Sequence, residues 1–137
     1  MLERKLTSRT FDTGAIRDTD MNKPDYEGFL SPLVIERYGQ FMMSHQKQAD
    51  GSIRASDNWQ KGVPKDVYIK SGFRHFMDWW KFHRGDRWQK DTMEEALCAL
   101  MFNVMGYLHE HLKQEYDDPK ELQTPLAHSP GERKTHP

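Results

Sequence analysis

The stretch "DTMEEALCALMFNVMGYLHEHLKQEY", residues 91–116, runs 26 positions with no proline and one glycine. Leu97, Leu100, Met101, Val104, Leu108 and Leu112 recur at helical spacing, which predicts one long helix with a single apolar stripe. Asp91 and Glu94 stand at capping-box spacing at its start. A chain of 137 residues that commits this much length to one helix must cover the stripe with its remaining elements. Those elements also read as helices.

In "LSPLVIERYGQFMMSHQK", Ser31 can cap and Pro32 suits the first turn, where a missing N–H costs no hydrogen bond. Val34, Tyr38, Phe41, Met42 and His45 follow at helical spacing, predicting a helix over 32–48. A further helix is predicted over 64–83, with Ile69, Phe73, Phe76, Met77 and Trp80 as its core stripe. Tyr68, Trp79 and Phe82 lie off that stripe, so the helix is apolar on more than one side and reads as central. "ADGSIRASDNWQKGVP" between these two helices carries Gly51, Gly62 and Pro64 and reads as a long loop of the kind that often holds function. Residues 1 to about 30 show no sustained period and read as an irregular arm. The tail from Asp117 holds four prolines and reads as extended, with a possible turn near Leu122. The expected architecture is all-α: a single domain over 1–116, built of three main helices with a long irregular arm, followed by a tail over 117–137. The middle helix leaves apolar surface for a partner subunit, so a homo-oligomer is expected.

Twenty basic residues stand against twenty-one acidic ones, and the mean hydropathy is -0.94. That balance does not argue for a nucleic-acid or membrane surface, although a local patch could still bind an anion, and neither a nucleic-acid polymer nor a membrane is expected as partner. No apolar run approaches the roughly 18 to 20 residues of a membrane span, and "MLERKLTSRT" lacks a signal-peptide core, so the expected compartment is the cytoplasm. The single cysteine, Cys98, excludes an intramolecular disulfide and a multi-cysteine zinc site. Its flanks "EALCALMF" read as those of a buried small hydrophobe.

Several constellations can carry chemistry. Glu95, Ala99, Asn103, Gly106 and Glu110 share one face of the long helix, roughly opposite the leucine stripe. Carboxylates and an amide separated by small residues leave room for a ligand and offer hard oxygen donors for Mg²⁺ or Mn²⁺; a solvated helix face has the same spacing. His109 and His111 diverge by about 200° around a helix and cannot chelate one metal together. On the preceding helix Ser71, Arg74, His75 and Asp78 fall within two turns. Arg74 suits phosphate and His75 an anion or a proton, although an internal salt bridge with Asp78 is the simpler account. In the loop, Asn58, Trp59, Lys61 and Gly62 offer a stacking surface, an edge reader and a phosphate counter-charge, while a core-anchoring tryptophan serves equally. In the arm, "RDTDMNKPDY" adds Arg17 and Lys23 for phosphate and Asp18 and Asp20 for metal or ribose.

Taken in order, "FDTGAIRDTDMNKPDYEGFLSP", "DNWQKGVPKDVYIKSGFRHFMDWW" and "EEALCALMFNVMGYLHEH" resemble the phage and prophage dATP/dGTP diphosphohydrolase N-terminal domain, a relative of the MazG-like all-α nucleotide pyrophosphohydrolases. The likeness spans about residues 11 to 113. It implies hydrolysis of a purine deoxynucleoside triphosphate to the monophosphate and pyrophosphate, with a divalent metal, in the cytoplasm of a host cell if the chain is phage-encoded. The matching positions are Gly14, Arg17, Asp18, Lys23, Asn58, Trp59, Lys61, Gly62, Arg74, His75, Glu95 and Asn103. The resemblance thus implies His75 and Glu95 as catalytic groups. Asp18, Glu95, Asn103 and Glu110 are the expected metal ligands, and Arg17, Lys23, Asn58, Trp59, Lys61 and Arg74 the expected substrate contacts. The MazG-like pattern pairs an E-x-x-E on one helix with an E-x-x-D on another; here Cys98 follows Glu95 at that spacing and Leu97 follows Glu94, and the preceding helix offers no E-x-x-E. A nucleotide-sequestering phage protein without turnover and a helical interaction module are the alternatives.

Overall fold

The computed structural model describes residues 8–86 and 90–117. The chain is mostly helical, with β1 (Ser8–Thr10), β2 (Ile16–Asp18), α1 (Tyr26–Phe29), α2 (Pro32–Ser44), a 3₁₀ turn (Asn58–Lys61), α3 (Lys65–His83) and α4 (Met93–Asp117). No helix among the described residues is long and apolar enough to cross a membrane. Contacts group the chain into two units, Met1–Glu36 and Arg37–Pro137. The expected turn near Leu122 and the tail beyond Asp117 lie outside the described residues.

In the N-terminal unit, the segment expected to be irregular holds an antiparallel hairpin in which Arg9 faces Arg17 and Thr10 faces Ile16. Gly14 turns the chain with φ +86°, a value side-chain-bearing residues rarely adopt. The N–H of Phe11 donates to the Ala15 carbonyl at 2.8 Å across that turn. Strands of three residues are too short to print an alternation in the sequence, which is why periodicity does not reveal the hairpin. Asp25 caps α1 by accepting from the Gly28 N–H at 3.0 Å.

The C-terminal unit is built on the antiparallel pair α3 and α4. Lys65 Nζ at the start of α3 donates to Gln114 Oε1 near the end of α4 at 3.0 Å, Tyr68 lies on Gly106, and Gly72 faces Asn103. Phe41 of α2 packs on Cys98 and Ala99 of α4, flanked by Tyr38 and Met42. Arg37 Nε donates to Glu94 Oε2 at 2.8 Å beside this contact. Ser31 caps α2 as expected, its Oγ accepting from the Val34 N–H at 3.3 Å. The helix ends at Ser44 rather than 48 because residues 46–54 fold back on themselves. Arg54 N–H donates to the Gln46 carbonyl at 2.8 Å, and Lys47 bridges Ile53.

The two long helices reverse the expected inside and outside. The stripe Ile69, Phe73, Phe76 and Trp80 is open to solvent on α3, as are Val104, Leu108 and Leu112 on α4. The buried residues of α4 are Ala96, Cys98, Ala99, Asn103 and Gly106, largely the face read as a ligand surface. Small side chains let helix axes approach, and the large residues are left flanking the seam on the outer side. The room between the carboxylates is filled: a Cβ on Gly106 would collide with Cε1 and Cζ of Tyr68, whose side chain is 2% exposed.

Candidate functional site

A cavity of about 740 Å³ opens in the C-terminal unit between α2, the loop, α3 and α4. This falls within the range of small-molecule sites. Asn58 and Trp59 come from the 3₁₀ turn, His75 from α3, and Glu95 and Asn103 from α4. Five expected site residues, from three separate segments, thus line the same cavity.

Local folding sets each of them. Gly62, with φ +120°, ends the 3₁₀ turn and lets the chain swing into Pro64 and α3. Trp59 packs edge-on to His109 at 4.8 Å and to Phe102 at 6.3 Å. It therefore anchors the loop on α4 as well as lining the cavity. Glu95 is held at the helix start by the hydroxyl of Thr92, one residue after the Asp91 cap that the sequence suggested. Thr92 Oγ1 accepts from the Glu95 N–H at 3.2 Å and donates to Glu95 Oε1 at 3.3 Å. Asp91, displaced from the capping role, approaches His75 and Asp78 of α3 instead. Asn103 Nδ2 donates to the Ala99 carbonyl at 2.8 Å and is buried, leaving its carbonyl oxygen outside that bond.

His75, Asp78 and Asp91 each bring one potential ligand atom to within 4.8 Å of the others, all from half-buried side chains. His75 Nδ1 is buried with no hydrogen-bond partner among the described residues, and no ion pair among them joins Asp78 to Arg74 or His75. One imidazole and two carboxylates with an unsatisfied ring nitrogen fit a divalent cation. Asp91 was missed as a ligand because its spacing from Glu94 suggested a cap; the Thr92–Glu95 pair was the competing signal. Arg54 was also missed. Its side chain lines the cavity while Nη2 donates to the His45 carbonyl at 3.0 Å, and nothing in its sequence neighbourhood distinguishes it from other loop arginines.

Other expected residues lie elsewhere. Lys61 and Arg74 are exposed and do not line the cavity. Glu110 borders a separate pocket with Lys65 and Lys113, and fifteen residues of helix put it about 22 Å along the axis from Glu95. These two carboxylates cannot share an ion. Asn103 is about 12 Å from Glu95 by the same rise, while the Glu95 carboxylate turns back toward Thr92. Arg17, Asp18 and Lys23 belong to the N-terminal unit, where all three are exposed. His109 meets Trp59 while His111 pairs with Glu115 at 2.9 Å, so the two histidines serve different faces as their spacing required. Comparison with protein-family models, curated proteins and solved structures finds no match to this chain.

Proposed function

We propose that the chain is a metal-dependent nucleotide pyrophosphohydrolase that converts purine deoxynucleoside triphosphates to monophosphate and pyrophosphate. The observation that carries this reading is that Asn58, Trp59, His75, Glu95 and Asn103 line one cavity, with His75, Asp78 and Asp91 clustered beside it. Trp59 offers an aromatic face for a base and Asn58 an amide for its edge. Arg54 supplies a forked cation for phosphate oxygens. His75, Asp78 and Asp91 would hold a divalent ion, Mg²⁺ or Mn²⁺, and the imidazole among the donors favours Mn²⁺. When bound, such an ion offsets phosphate charge and makes water a stronger nucleophile near neutral pH. Glu95, steadied by Thr92, would take the proton as water attacks phosphorus. The bond from that phosphorus to the bridging oxygen breaks, and pyrophosphate leaves with the electron pair.

The test is incubation with each deoxynucleoside triphosphate and Mg²⁺ or Mn²⁺, assayed for pyrophosphate. Glu95→Gln is expected to abolish release while leaving nucleotide-induced thermal stabilisation in place; retained release refutes the role given to Glu95. A second reading, a nucleotide-sequestering protein without turnover, is favoured by Glu110 lying about 22 Å from Glu95, so that the expected pairing of these two carboxylates does not form. Stabilisation by a nucleotide with no product supports it. Neither effect leaves the helical interaction module.

A further inference from the structure

Asn103 of α4 lines the cavity and, behind it, an open apolar groove of about 790 Å³ on the outer side of the α3–α4 pair. It is 5% exposed, beside the buried Tyr68 and Ala99. Its Nδ2 is committed to the Ala99 carbonyl at 2.8 Å, and its Oδ1 has no hydrogen-bond partner among the described residues. Across the seam stands Gly72 of α3, which faces Asn103. Ser71, the residue before it, also lines the cavity; it is half-buried, and its hydroxyl makes no hydrogen bond among the described residues. We propose that Asn103 and Ser71 read the 3′-hydroxyl of a nucleotide's sugar, so that the cavity selects nucleotides carrying that hydroxyl over those lacking it. This inference rests on the nucleotide reading and deepens it.

Three observations select a sugar hydroxyl. The first is complementarity. With Nδ2 engaged, Asn103 offers an acceptor alone, while the Ser71 hydroxyl both donates and accepts. A ligand hydroxyl donates to the first and accepts from the second at once, whereas a base amine only donates and a carbonyl only accepts. The second is position. Glu95 lies about 12 Å from Asn103 toward the start of α4, the end where Asp91 approaches His75. Trp59 packs on Phe102 and His109, on the side away from that end. A nucleotide with its phosphates at the Glu95 end and its base on Trp59 carries its sugar past Asn103. The third is that packing gives the amide no other use. The groove side of the partition is largely apolar, with Phe73, Phe76, Leu100, Val104 and Leu108 around Asn103. An acceptor oxygen left unpaired in such surroundings costs stability, and a bound donor removes that cost.

The experiment compares dATP and dGTP with their 2′,3′-dideoxy counterparts, which lack only the 3′-hydroxyl, on the full wild-type chain with Mn²⁺. Where pyrophosphate is released, the comparison is of kcat/KM; where it is not, dissociation constants from calorimetry take its place. The dideoxy nucleotides are expected to be poorer by about tenfold or more. Ser71→Ala and Asn103→Ala, each checked for helical circular dichroism, are expected to bring the parent nucleotides toward the dideoxy values while leaving the dideoxy values nearly unchanged. The wild-type comparison needs no substitution, and Ser71→Ala serves alone if Asn103→Ala fails to fold. Equal constants for each nucleotide and its dideoxy counterpart overturn the proposal and leave the nucleotide reading standing. Absence of both binding and turnover with every nucleotide overturns the two together. Discrimination that survives undiminished in the folded variants overturns the assignment to Ser71 and Asn103.

Discussion

Gly106 sets local helix preference against packing, and the two predict opposite signs for Gly106→Ala. Alanine inside a helix is favoured over glycine by about 1 kcal/mol, so propensity alone predicts a more stable protein. The structure predicts the reverse. The new Cβ would enter the ring of Tyr68 at Cε1 and Cζ and stand 2.8 Å from its hydroxyl oxygen. The ring is 2% exposed and sits edge-on to Phe102 at 5.9 Å, so its rigid body rather than a flexible tip must yield. Overpacking of this kind costs about 1–3 kcal/mol, and the contact lies toward the upper end. Net destabilisation of about 1–2 kcal/mol is therefore expected, read as a lower urea midpoint by circular dichroism at about 222 nm. In a Tyr68→Leu background, which removes the colliding atoms, Gly106→Ala is expected to stabilise by about 1 kcal/mol, the full propensity gain. The cycle should thus show a coupling of about 2–3 kcal/mol, within the range found for residues in contact and far above that of independent sites. A stabilising Gly106→Ala in the wild type, or additivity between the two sites, refutes the packing assigned to this pair.

Thr92→Ala removes the oxygen that accepts from the Glu95 N–H and is expected to cost about 1 kcal/mol by urea titration, whereas Asp91→Ala, outside the cap, should cost less. Mn²⁺ added to the wild type is expected to lose its free-ion electron paramagnetic resonance signal, and Asp91→Asn to restore it; equal binding by both proteins removes Asp91 from the site. Burial pushes the Cys98 thiol up, so reaction with a thiol reagent at about pH 8, near the ordinary thiol range, is expected to be slow in the folded protein and fast in urea; fast labelling of the folded chain refutes its burial. Burial likewise raises Tyr38 and Tyr68. Their folded forms hold protons that the unfolded chain releases near about pH 10, so this stability is complete below about pH 10 and is lost as pH rises through the folded values. Urea midpoints should fall from about pH 10 upward, and a midpoint that rises there contradicts the sign.

The helices were legible because period and caps are local. Ser31 and Pro32 marked the start of α2, and the proline-free run after Met93 marked α4. Burial was legible in part: Cys98 of α4 and Phe41 of α2 are inside as read, whereas the outer stripes of α3 and α4 are not. Hydrophobicity ranks stripe positions such as Val104, Leu108 and Leu112 as core, yet the contact between α3 and α4 is decided by which side chains let two backbones approach. Gly72, facing Asn103, and Gly106, beneath Tyr68, meet that condition, and a hydropathy pattern gives them little weight. The cavity was partly legible: Asn58, Trp59, His75, Glu95 and Asn103 are among the residues that line it. Asp91 and Arg54 escaped notice because their importance comes from a chain reversal that brings distant segments together, which spacing along one segment does not record.

Tyr68 and Asn103 line both the cavity and the groove behind it. The partition between the two is therefore one side chain thick, with Tyr68 seated on Gly106 and Asn103 tied to the Ala99 carbonyl. A partition so thin has thermodynamic consequences in both directions. If filling the cavity biases the Tyr68 ring toward one position, the affinity of whatever seats in the groove changes by some factor, and filling the groove must change affinity in the cavity by that same factor. Ligand titrations with the groove empty and with it filled would then yield two apparent dissociation constants, and their ratio would measure how stiffly one tyrosine transmits occupancy from one side of the hairpin to the other.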